Sequence, residues 1–330
     1  MKYKVDIIIP IYNSLEWLKL CIKALFANTN YDILGKVYLI DDCSENNVID
    51  FLKIIQRKYG DMVEVIRNKK NQGFVKNCNK GMKISKNDFV LLLNTDCILS
   101  KNAIEKMANN MSKDKKIGLM CPISSVAANL SYSIPEGLSF MKVNEIFENQ
   151  FKGKIFDACT VVGNCLMISR DCINKVGYFD EIYEKGYTEE TDYQFKALKK
   201  GFKAKVTIDT YVYHECRVSF GESKKQLDIR AKHLEIFFNR YGKEYNRLME
   251  KYQKNNPIDY INKNINYNDL KFKNIYEFKK KDKNIQNLVS YFNQLIIDGF
   301  DIQFLTKNKK LLNYNGIILF NPKDVRKFKL

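Results

Sequence analysis

The sequence predicts an α/β protein with a mainly parallel central sheet and helices on both of its faces. Short apolar runs alternate with amphipathic helical patterns at the spacing of β-α-β units. One run, Phe89–Leu93, has five apolar residues without a polar interruption, as a strand buried on both faces would. In open α/β sheets ligands bind at the carboxyl ends of the strands, so the polar residues after this run are the first candidates for function.

The elements follow one another in a regular order along the first half of the chain. Strands are predicted at residues 5–9, 36–40, 62–66, 88–93 and 117–121, with helices at 14–27, 47–59, 71–81 and 101–111. Residues 124–153 have weak periodicity and are predicted to form a substrate-facing loop region. Further strands are expected at 158–163, 165–168, 203–207 and 211–214, and a helix at 189–200 that ends at Gly201.

The C-terminal third is predicted to be a separate extension. A catalytic domain is expected at 1–220 and a smaller, mostly helical extension at 221–330. The extension has an amphipathic helix at 222–250, a weakly ordered stretch at 253–275, a helix at 284–298 and strands at 301–305 and 316–320.

Composition bounds the class of protein. The chain has 330 residues and no apolar run that approaches the roughly 18 residues of a membrane span. It begins directly with a strand, so no signal peptide is expected. The nine cysteines form no CxxC pair, which disfavours a zinc ribbon or a disulfide framework and favours a reducing, cytoplasmic location.

The net charge of +17 is concentrated near the C-terminus. Residues 221–330 hold 23 Lys and Arg against 12 Asp and Glu. Such a positive electrostatic field favours peripheral contact with anionic lipid at the inner face of the membrane. Alternatively, these charged residues only form a solvated surface. No nucleic-acid motif accompanies it, so no nucleic-acid partner is expected.

Polar residues stand at three strand ends. Asn94 and Asp96 follow the central strand, and their i, i+2 spacing points both side chains the same way, as a divalent cation holding a diphosphate requires. Alternatively, 94–96 only caps the next helix. No GxGxxG or P-loop is present. Instead, Tyr12 and Asn13 follow the first strand and two carboxylates follow the second, which indicates a nucleotide pocket without a glycine cradle.

Three acids, Glu189, Glu190 and Asp192, open the predicted helix at 189–200. Crowding raises the pKa of one acid towards that of a general base, although the helix dipole opposes this effect. The alternative is that the acids only complement the helix dipole. The chain has two histidines; we expect His233 to be structural, while His214 stands at a strand end as a candidate ligand.

An ordered set of motifs over residues 4–216 resembles the family 2 glycosyltransferases with a GT-A fold, particularly the rhamnosyltransferase-like branch. The motifs are IIPIYN at 8–13, IDDCS at 40–44, NQGF…NKG at 71–81, LLNTD at 92–96, and GYFDE…EETD at 177–192, followed by His214. The resemblance implies an inverting transfer of one sugar from a nucleoside-diphosphate sugar, assisted by Mn²⁺ or Mg²⁺, and a role in polysaccharide biosynthesis.

The resemblance also implies residue roles. Asn94, Asp96 and His214 are expected at the metal, and Glu190 as the base, with Asp192 as second choice. The nucleotide is expected to contact Pro10, Tyr12, Asn13, Asp41, Asp42, Gly73, Asn79, Asn94 and Thr95.

Two departures from the family pattern stand out. The DxD motif is Asn-x-Asp, which removes one charge, and the base position holds Glu instead of Asp. The QxxRW motif of processive synthases is absent, which favours addition of a single sugar.

Partners and rival functions stay open at this point. The donor is expected to be a UDP-, dTDP- or GDP-sugar, the acceptor a saccharide, a lipid-linked saccharide or a protein, and a homodimer is an open alternative. One rival is a non-catalytic sugar-nucleotide-binding protein with this fold, supported by the Asn-for-Asp change. The other is a nucleotidyltransferase, although Pro10–Asn13 is not the Gly-rich, Arg-containing loop such enzymes carry.

Overall fold

A mixed nine-stranded sheet forms the centre of the protein. The computed structural model describes residues 3–135, 138–215 and 224–266, and the backbone of three short strands beyond them. The strands of the main sheet are β1 (Val5–Ile11), β2 (Leu34–Asp41), β3 (Val63–Arg67), β4 (Phe89–Leu93), β5 (Cys97–Ile98), β6 (Ile117–Ser124), β7 (Ile155–Asp157), β8 (Cys165–Ser169) and β9 (Lys203–His214).

The sheet has a parallel half and a mixed half. Its order is β3-β2-β1-β4-β8-β6-β9-β5, and β7 also pairs with β9. Strands β3, β2, β1 and β4 run parallel, whereas β8 runs antiparallel to both of its neighbours. The sheet is therefore parallel where the nucleotide was predicted and mixed beyond β4.

Nine helices flank the sheet or continue from it in the described part of the chain. They are α1 (Leu15–Asn28), α2 (Asn46–Tyr59), α3 (Phe74–Ile84), α4 (Ala103–Ser112), α5 (Phe140–Gln150), α6 (Arg170–Val176), α7 (Glu189–Lys199), α8 (Lys224–Lys254) and α9 (Pro257–Asn264). No described helix is both long and apolar enough to cross a bilayer.

The sheet is buried on both faces because apolar residues occupy both alternations of its central strands. Ile8 and Leu92 point into one apolar cluster, while Ile7 and Leu91 point into the other. Each such side chain is almost fully buried and contributes about 1.5–3 kcal/mol by leaving water. This double burial makes the end of β4 a rigid platform for the residues that follow it.

Some sequence predictions were wrong between residues 124 and 214. Residues 158–163 are irregular; the strand lies just before them, at β7. The two short strands predicted at 203–207 and 211–214 are one strand, because Asp209 is satisfied inside the protein by Asn110, Thr207 and Gly153 and does not break it. The region predicted as loop contains α5, which buries Phe140, Val143 and Phe147.

Helix α8 packs against the sheet-bearing part of the chain. Its Phe237 and Tyr241 form an apolar cluster with Phe195 of α7, and Tyr252 joins the larger core cluster. The predicted boundary at 220/221 falls outside the described residues, but the helix that follows it is packed onto the fold.

The C-terminal strands form a small sheet of their own. Strands β10 (Asn274–Glu277), β11 (Ile302–Leu305) and β12 (Leu319–Phe320) pair in parallel. The predicted strands at 301–305 and 316–320 are found in part, whereas α9 and the start of β10 lie where 253–275 was predicted to be weakly ordered. The helix predicted at 284–298 lies outside the described residues.

Candidate active site

The end of β4 is brought to the end of β9 by a short antiparallel pairing. Strand β5 follows the turn after β4, and its Cys97 stands opposite His214. The backbone of Glu215 also donates to the carbonyl of Asp96 at 3.1 Å. As a result, Asp96 Oδ1 and His214 Nε2 lie 3.5 Å apart. Asp96 and His214, which were predicted as metal ligands, are therefore neighbours in space although they lie 118 positions apart in the sequence.

The imidazole of His214 is held in one orientation. Its Nδ1 lies 2.6 Å from the Val126 carbonyl, so Nδ1 carries the proton and donates it. Ser125 accepts from the backbone nitrogen of His214 at 2.8 Å and donates to its carbonyl at 3.0 Å. In the neutral ring, Nε2 is then free of its proton on the side of Asp96, which is the form that binds metals.

Burial and charge act in opposite directions on His214. Burial lowers the pKa of its imidazole, but the hydrogen bond and charge of Asp96 outweigh burial, so the pKa lies above its ordinary value. Glu215, whose own pKa is raised by burial, adds to the negative field on this ring. The pair therefore attracts a cation, and a proton and a metal ion would compete for Nε2.

The residues around this pair fit a hard divalent cation. Asn94 Oδ1 is buried and has no hydrogen-bond partner among the described residues. Cys97 Sγ is also near, but the thiol contacts the Asn164 carbonyl at 3.3 Å and burial raises its pKa well above normal, so it is no thiolate ligand. Oxygen and imidazole ligands from Asn94, Asp96 and His214 suit Mn²⁺ or Mg²⁺.

Several of the residues predicted to bind the nucleotide lie at the carboxyl ends of β1 and β2, which are paired through Pro10 and Ile40. This part of the site is called the nucleotide end. The Tyr12 ring is 46% exposed, which leaves a face on which a base can stack. Asn13 ties the two strand ends together: its backbone nitrogen donates to Ser44 Oγ at 2.9 Å, and its side chain accepts from the nitrogen of Glu45 at 3.0 Å.

The two aspartates of this end are buried and occupied by protein groups. Asp41 pairs with Arg67 and accepts from the nitrogen of Ser44. Asp42 Oδ1 accepts from Asn68 and from the nitrogen of Gln72, and Asp42 Oδ2 from the nitrogen of Gly73 at 2.9 Å. Within this structure both carboxylates hold the 67–73 loop.

Three more predicted nucleotide contacts differ in their surroundings. Gly73 immediately precedes α3, has a positive φ of 89° and lies next to residues 184 and 185. Thr95 is buried between the two candidate metal ligands of its motif. Asn79 is buried and uses its amide oxygen and nitrogen on the backbone of Phe179, both at 2.9 Å, so a structural role fits its geometry better than contact with a nucleotide.

Glu189, which is buried, and Glu190, which is half-buried, form a carboxyl pair at the start of α7. Burial and the neighbouring Glu190 raise the pKa of Glu189 well above normal. Burial also raises the pKa of Glu190, but backbone N–H groups and Glu189 favour its charged form. We infer that Glu189 keeps the proton and donates it to a Glu190 carboxylate. One oxygen of Glu190, Oε2, has no hydrogen-bond partner among the described residues.

The turn at Gly163–Asn164 connects this pair with the candidate metal site. An added Cβ on Gly163 would lie 3.6 Å from Glu190 Cγ, and the backbone of Gly163 also hydrogen-bonds Glu190. The next residue, Asn164, accepts at its carbonyl from the nitrogen of Asn94 at 2.9 Å. The candidate base and the Asn-x-Asp motif therefore share one turn.

Asp192, the second-choice base, is placed differently. It is fully buried, and it contacts Arg240 Nη1 at 2.8 Å, Lys196 Nζ at 2.9 Å and Tyr183 Oη at 3.1 Å. Each carboxylate oxygen of Asp192 has a cationic neighbour, so Asp192 suits a structural role. Oε2 of Glu190, like Oε2 of Glu189, has neither a cation nor a hydrogen-bond partner among the described residues.

Sequence reasoning missed several residues of the site. Val126 and Ser125, which orient His214, lie in the stretch predicted as loop. Gly163 was predicted as the last residue of a strand, Asn164 was assigned no role, and Glu215 was overlooked although it adjoins His214. Adjacency could have drawn attention to Glu215, whereas nothing in the local pattern marks Val126.

The fold and the site together define a class of protein. A parallel half-sheet with polar strand ends, joined to a mixed half that supplies an acid–imidazole pair, is the architecture of the GT-A glycosyltransferases. The chain belongs to the family described as Glycosyl transferase family 2, whose model matches residues 6–177. The rhamnosyltransferase-like branch stays a prediction.

Individual comparisons agree with this assignment. Chondroitin synthase of Pasteurella multocida is 26% identical over 382 aligned positions, which cover 96% of this chain and 38% of that protein. The chain spans less than half the length of several curated relatives, this one included.

Solved structures show the same fold at low sequence identity. GalNAc-T7, solved with UDP, GalNAc and Mn²⁺, is similar with a TM-score of 0.58 and 17% identity over 74% of this chain and 50% of that chain. A mannosyltransferase from Pyrobaculum calidifontis, solved with GDP-Man and Mn²⁺, has a TM-score of 0.53 and 14% identity over 71% and 62%.

Proposed function

We propose that this protein transfers one sugar, with inversion, from a nucleoside-diphosphate sugar to an acceptor hydroxyl. Glu190 is the general base, and Asn94, Asp96 and His214 hold a divalent cation. The observation that carries the proposal is the Gly163–Asn164 turn, which contacts Glu190 on one side and Asn94 on the other. A base and a leaving-group site must lie on either side of one sugar carbon, and this turn sets their spacing.

Each residue has a defined task in that reaction. Glu190 accepts the proton of the acceptor hydroxyl at Oε2, the oxygen that has no hydrogen-bond partner in the described part of the chain. Glu189 keeps its own proton and stabilises the charged form of Glu190. A bound Mn²⁺ or Mg²⁺ supplies positive charge for the diphosphate leaving group. Tyr12 offers its exposed ring to the base of the nucleotide.

The relatives support the choice of substrates. Two structures of this fold were solved with Mn²⁺, one with UDP and one with GDP-Man, so a UDP- or GDP-sugar is the donor class to test first. Chondroitin synthase carries a polysaccharide product in its name, which supports a glycan acceptor and polysaccharide biosynthesis. Membership of the glycosyltransferase family removes our reason to retain the nucleotidyltransferase alternative. Peripheral membrane contact, a cytoplasmic location and a homodimer stay predictions.

The test is Glu190→Gln, which keeps the side-chain shape and removes the basic oxygen. A thermal-shift panel of nucleoside diphosphates with and without Mn²⁺ first names the donor class. We then expect turnover to fall by about 10²–10⁴-fold while donor affinity is unchanged. The exposed Glu235 gives the control Glu235→Gln, which should behave as wild type. Wild-type turnover in Glu190→Gln would show that Glu190 is not the general base. Donor binding without sugar transfer by the wild-type protein would favour the non-catalytic alternative.

A further inference from the structure

The segment before α7 has an unusual backbone. Glu184, Tyr187 and Thr188 adopt positive φ values of 42°, 71° and 79°, and Gly186 adopts 115°. Residues with a Cβ avoid this region, so such a run persists only where surrounding contacts impose it. Glu189 and Glu190 follow directly, and the conformation of this segment therefore sets where the proposed base points.

Helix α8 supplies contacts to this segment, and both lie beyond the matched family region at 6–177. His233 is buried, and its Nδ1 contacts the carbonyls of Gly186 at 2.9 Å and Tyr187 at 3.2 Å. One turn earlier, the guanidinium of Arg230 lies 5.5 Å from the centre of the Tyr187 ring. Two residues on one face of α8 thus hold the positive-φ segment.

A third residue of the same face reaches the first turns of α7. Arg240 Nη1 contacts Asp192 at 2.8 Å and Asp180 at 2.9 Å. Asp192 is fully buried and lies two residues after Glu190. Lys196 Nζ, at 2.9 Å from Asp192 and 3.4 Å from Asp180, completes the charge balance. Arg240 thereby links the two sides of the segment, before it and after it.

The same segment also touches the nucleotide end. An added Cβ on Gly73 would lie 3.0 Å from the carbonyl oxygen of Glu184, and the nitrogen of Gly73 donates to Asp42. The segment is therefore packed between the loop held by Asp42 and the helix that carries Glu190. A helix that fixes the segment fixes the base relative to the donor.

We propose that Arg230, His233 and Arg240 form a latch, here called the α8 latch, that positions Glu190 for transfer by holding residues 184–192. This inference rests on the proposed function. Its members are positioning residues, since they act through the segment and Asp192. The latch makes α8 part of the working enzyme although it lies beyond the family match at 6–177.

The test compares Arg240→Gln with Arg247→Gln in the full chain. Both residues are exposed arginines on α8, but Arg240 pairs with Asp180 and Asp192, whereas Arg247 has no ion pair with any described residue. In Arg240→Gln we expect kcat to fall by about 10–100-fold, as for a displacement of about 1 Å, while donor KM stays unchanged. Amide hydrogen exchange in 184–192 should accelerate and that in α1 should not. Arg247→Gln should match the wild type in both measurements.

Conservative variants separate positioning from loss of folding. Arg240→Lys should regain most of kcat, because one nitrogen contacts both aspartates and an ammonium can replace it. His233→Asn, which keeps an N–H donor, should likewise outperform His233→Leu. A purely structural role predicts lower thermal stability with unchanged kcat for the folded protein, and that result overturns the latch.

Failure of the proposed function would look different. If the wild type transfers no sugar, the function is wrong, and exchange alone decides the latch. Equal exchange rates over 184–192 in Arg240→Gln and Arg247→Gln would then overturn it, and faster exchange in the first variant alone would uphold it.

Discussion

Gly73 is the position where a single methyl group tests the packing of the 67–73 loop against the segment before α7. Its φ of 89° and ψ of 165° belong to a region that is essentially restricted to glycine. A Cβ would also meet the Glu184 carbonyl oxygen at 3.0 Å and Lys185 Cα at 3.2 Å, both backbone atoms that cannot rotate away. Gly73→Ala therefore combines backbone strain with a steric overlap.

Gly177 provides a control that separates these two effects. Its φ of 87° and ψ of −139° are similar, but no atom of the described residues lies within 4 Å of its added Cβ. Backbone strain should cost about 1–3 kcal/mol in both alanine variants. The overlap should add about 1–3 kcal/mol to Gly73→Ala alone, as overpacking does in protein cores.

Urea titration followed by circular dichroism measures the free energy of unfolding of both variants. We expect Gly73→Ala to be less stable than Gly177→Ala by that additional amount, and to lose donor affinity because the nitrogen of Gly73 anchors Asp42. Equal destabilisation of the two variants would refute the contact between residue 73 and the 184–185 backbone.

Two further predictions concern the carboxylates. Because Glu189 donates a hydrogen bond to Glu190, Glu189→Ala should raise the pKa of Glu190 and move the acidic limb of the pH–rate profile to higher pH. Glu189→Gln keeps a donor and should leave the limb in place. A limb that moves equally in both variants contradicts the hydrogen bond from Glu189. Asn94→Asp places a second carboxylate beside Asp96, so repulsion should lower the melting temperature of the metal-free protein. The added ligand charge should raise the affinity for Mn²⁺ about tenfold. Mn²⁺ titration in a thermal-shift assay measures both effects, and unchanged affinity would exclude Asn94 as a metal ligand.

Local pattern predicted the parallel half of the sheet well. Strands β1 to β4 are rich in apolar residues and have helical patterns between them, and both signals arise within a few residues along the chain. The polar ends of these strands are likewise visible in sequence. That is why Asn94, Asp96 and Tyr12 could be singled out before their geometry was described.

Long-range contacts explain the predictions that were wrong. Asp209 resembles a strand break, but it is satisfied by Asn110, 99 residues away in the chain, so β9 continues through it. Arg240 meets Asp192 across 48 residues, and no local periodicity encodes that pair. Two of the partners of Asp192, Arg240 and Tyr183, lie on other elements, and Lys196 is its local partner at i+4. The sequence therefore did not show that Asp192 is held by protein groups, and it could be proposed as a base.

Strand β9 carries His214 at its last residue, and its pairing with β6 is not uniform. Pro122 stands beside Thr207, yet the next residue, Ile123, stands beside Tyr211. The extra residues between Thr207 and Tyr211 thus determine to which face of the sheet the last side chains of β9 point. Because strand side chains alternate between faces, losing one residue there would turn the imidazole away from Asp96. Length variation among natural relatives should therefore be rare between 207 and 214 and commoner before α5, where no such orientation is at stake.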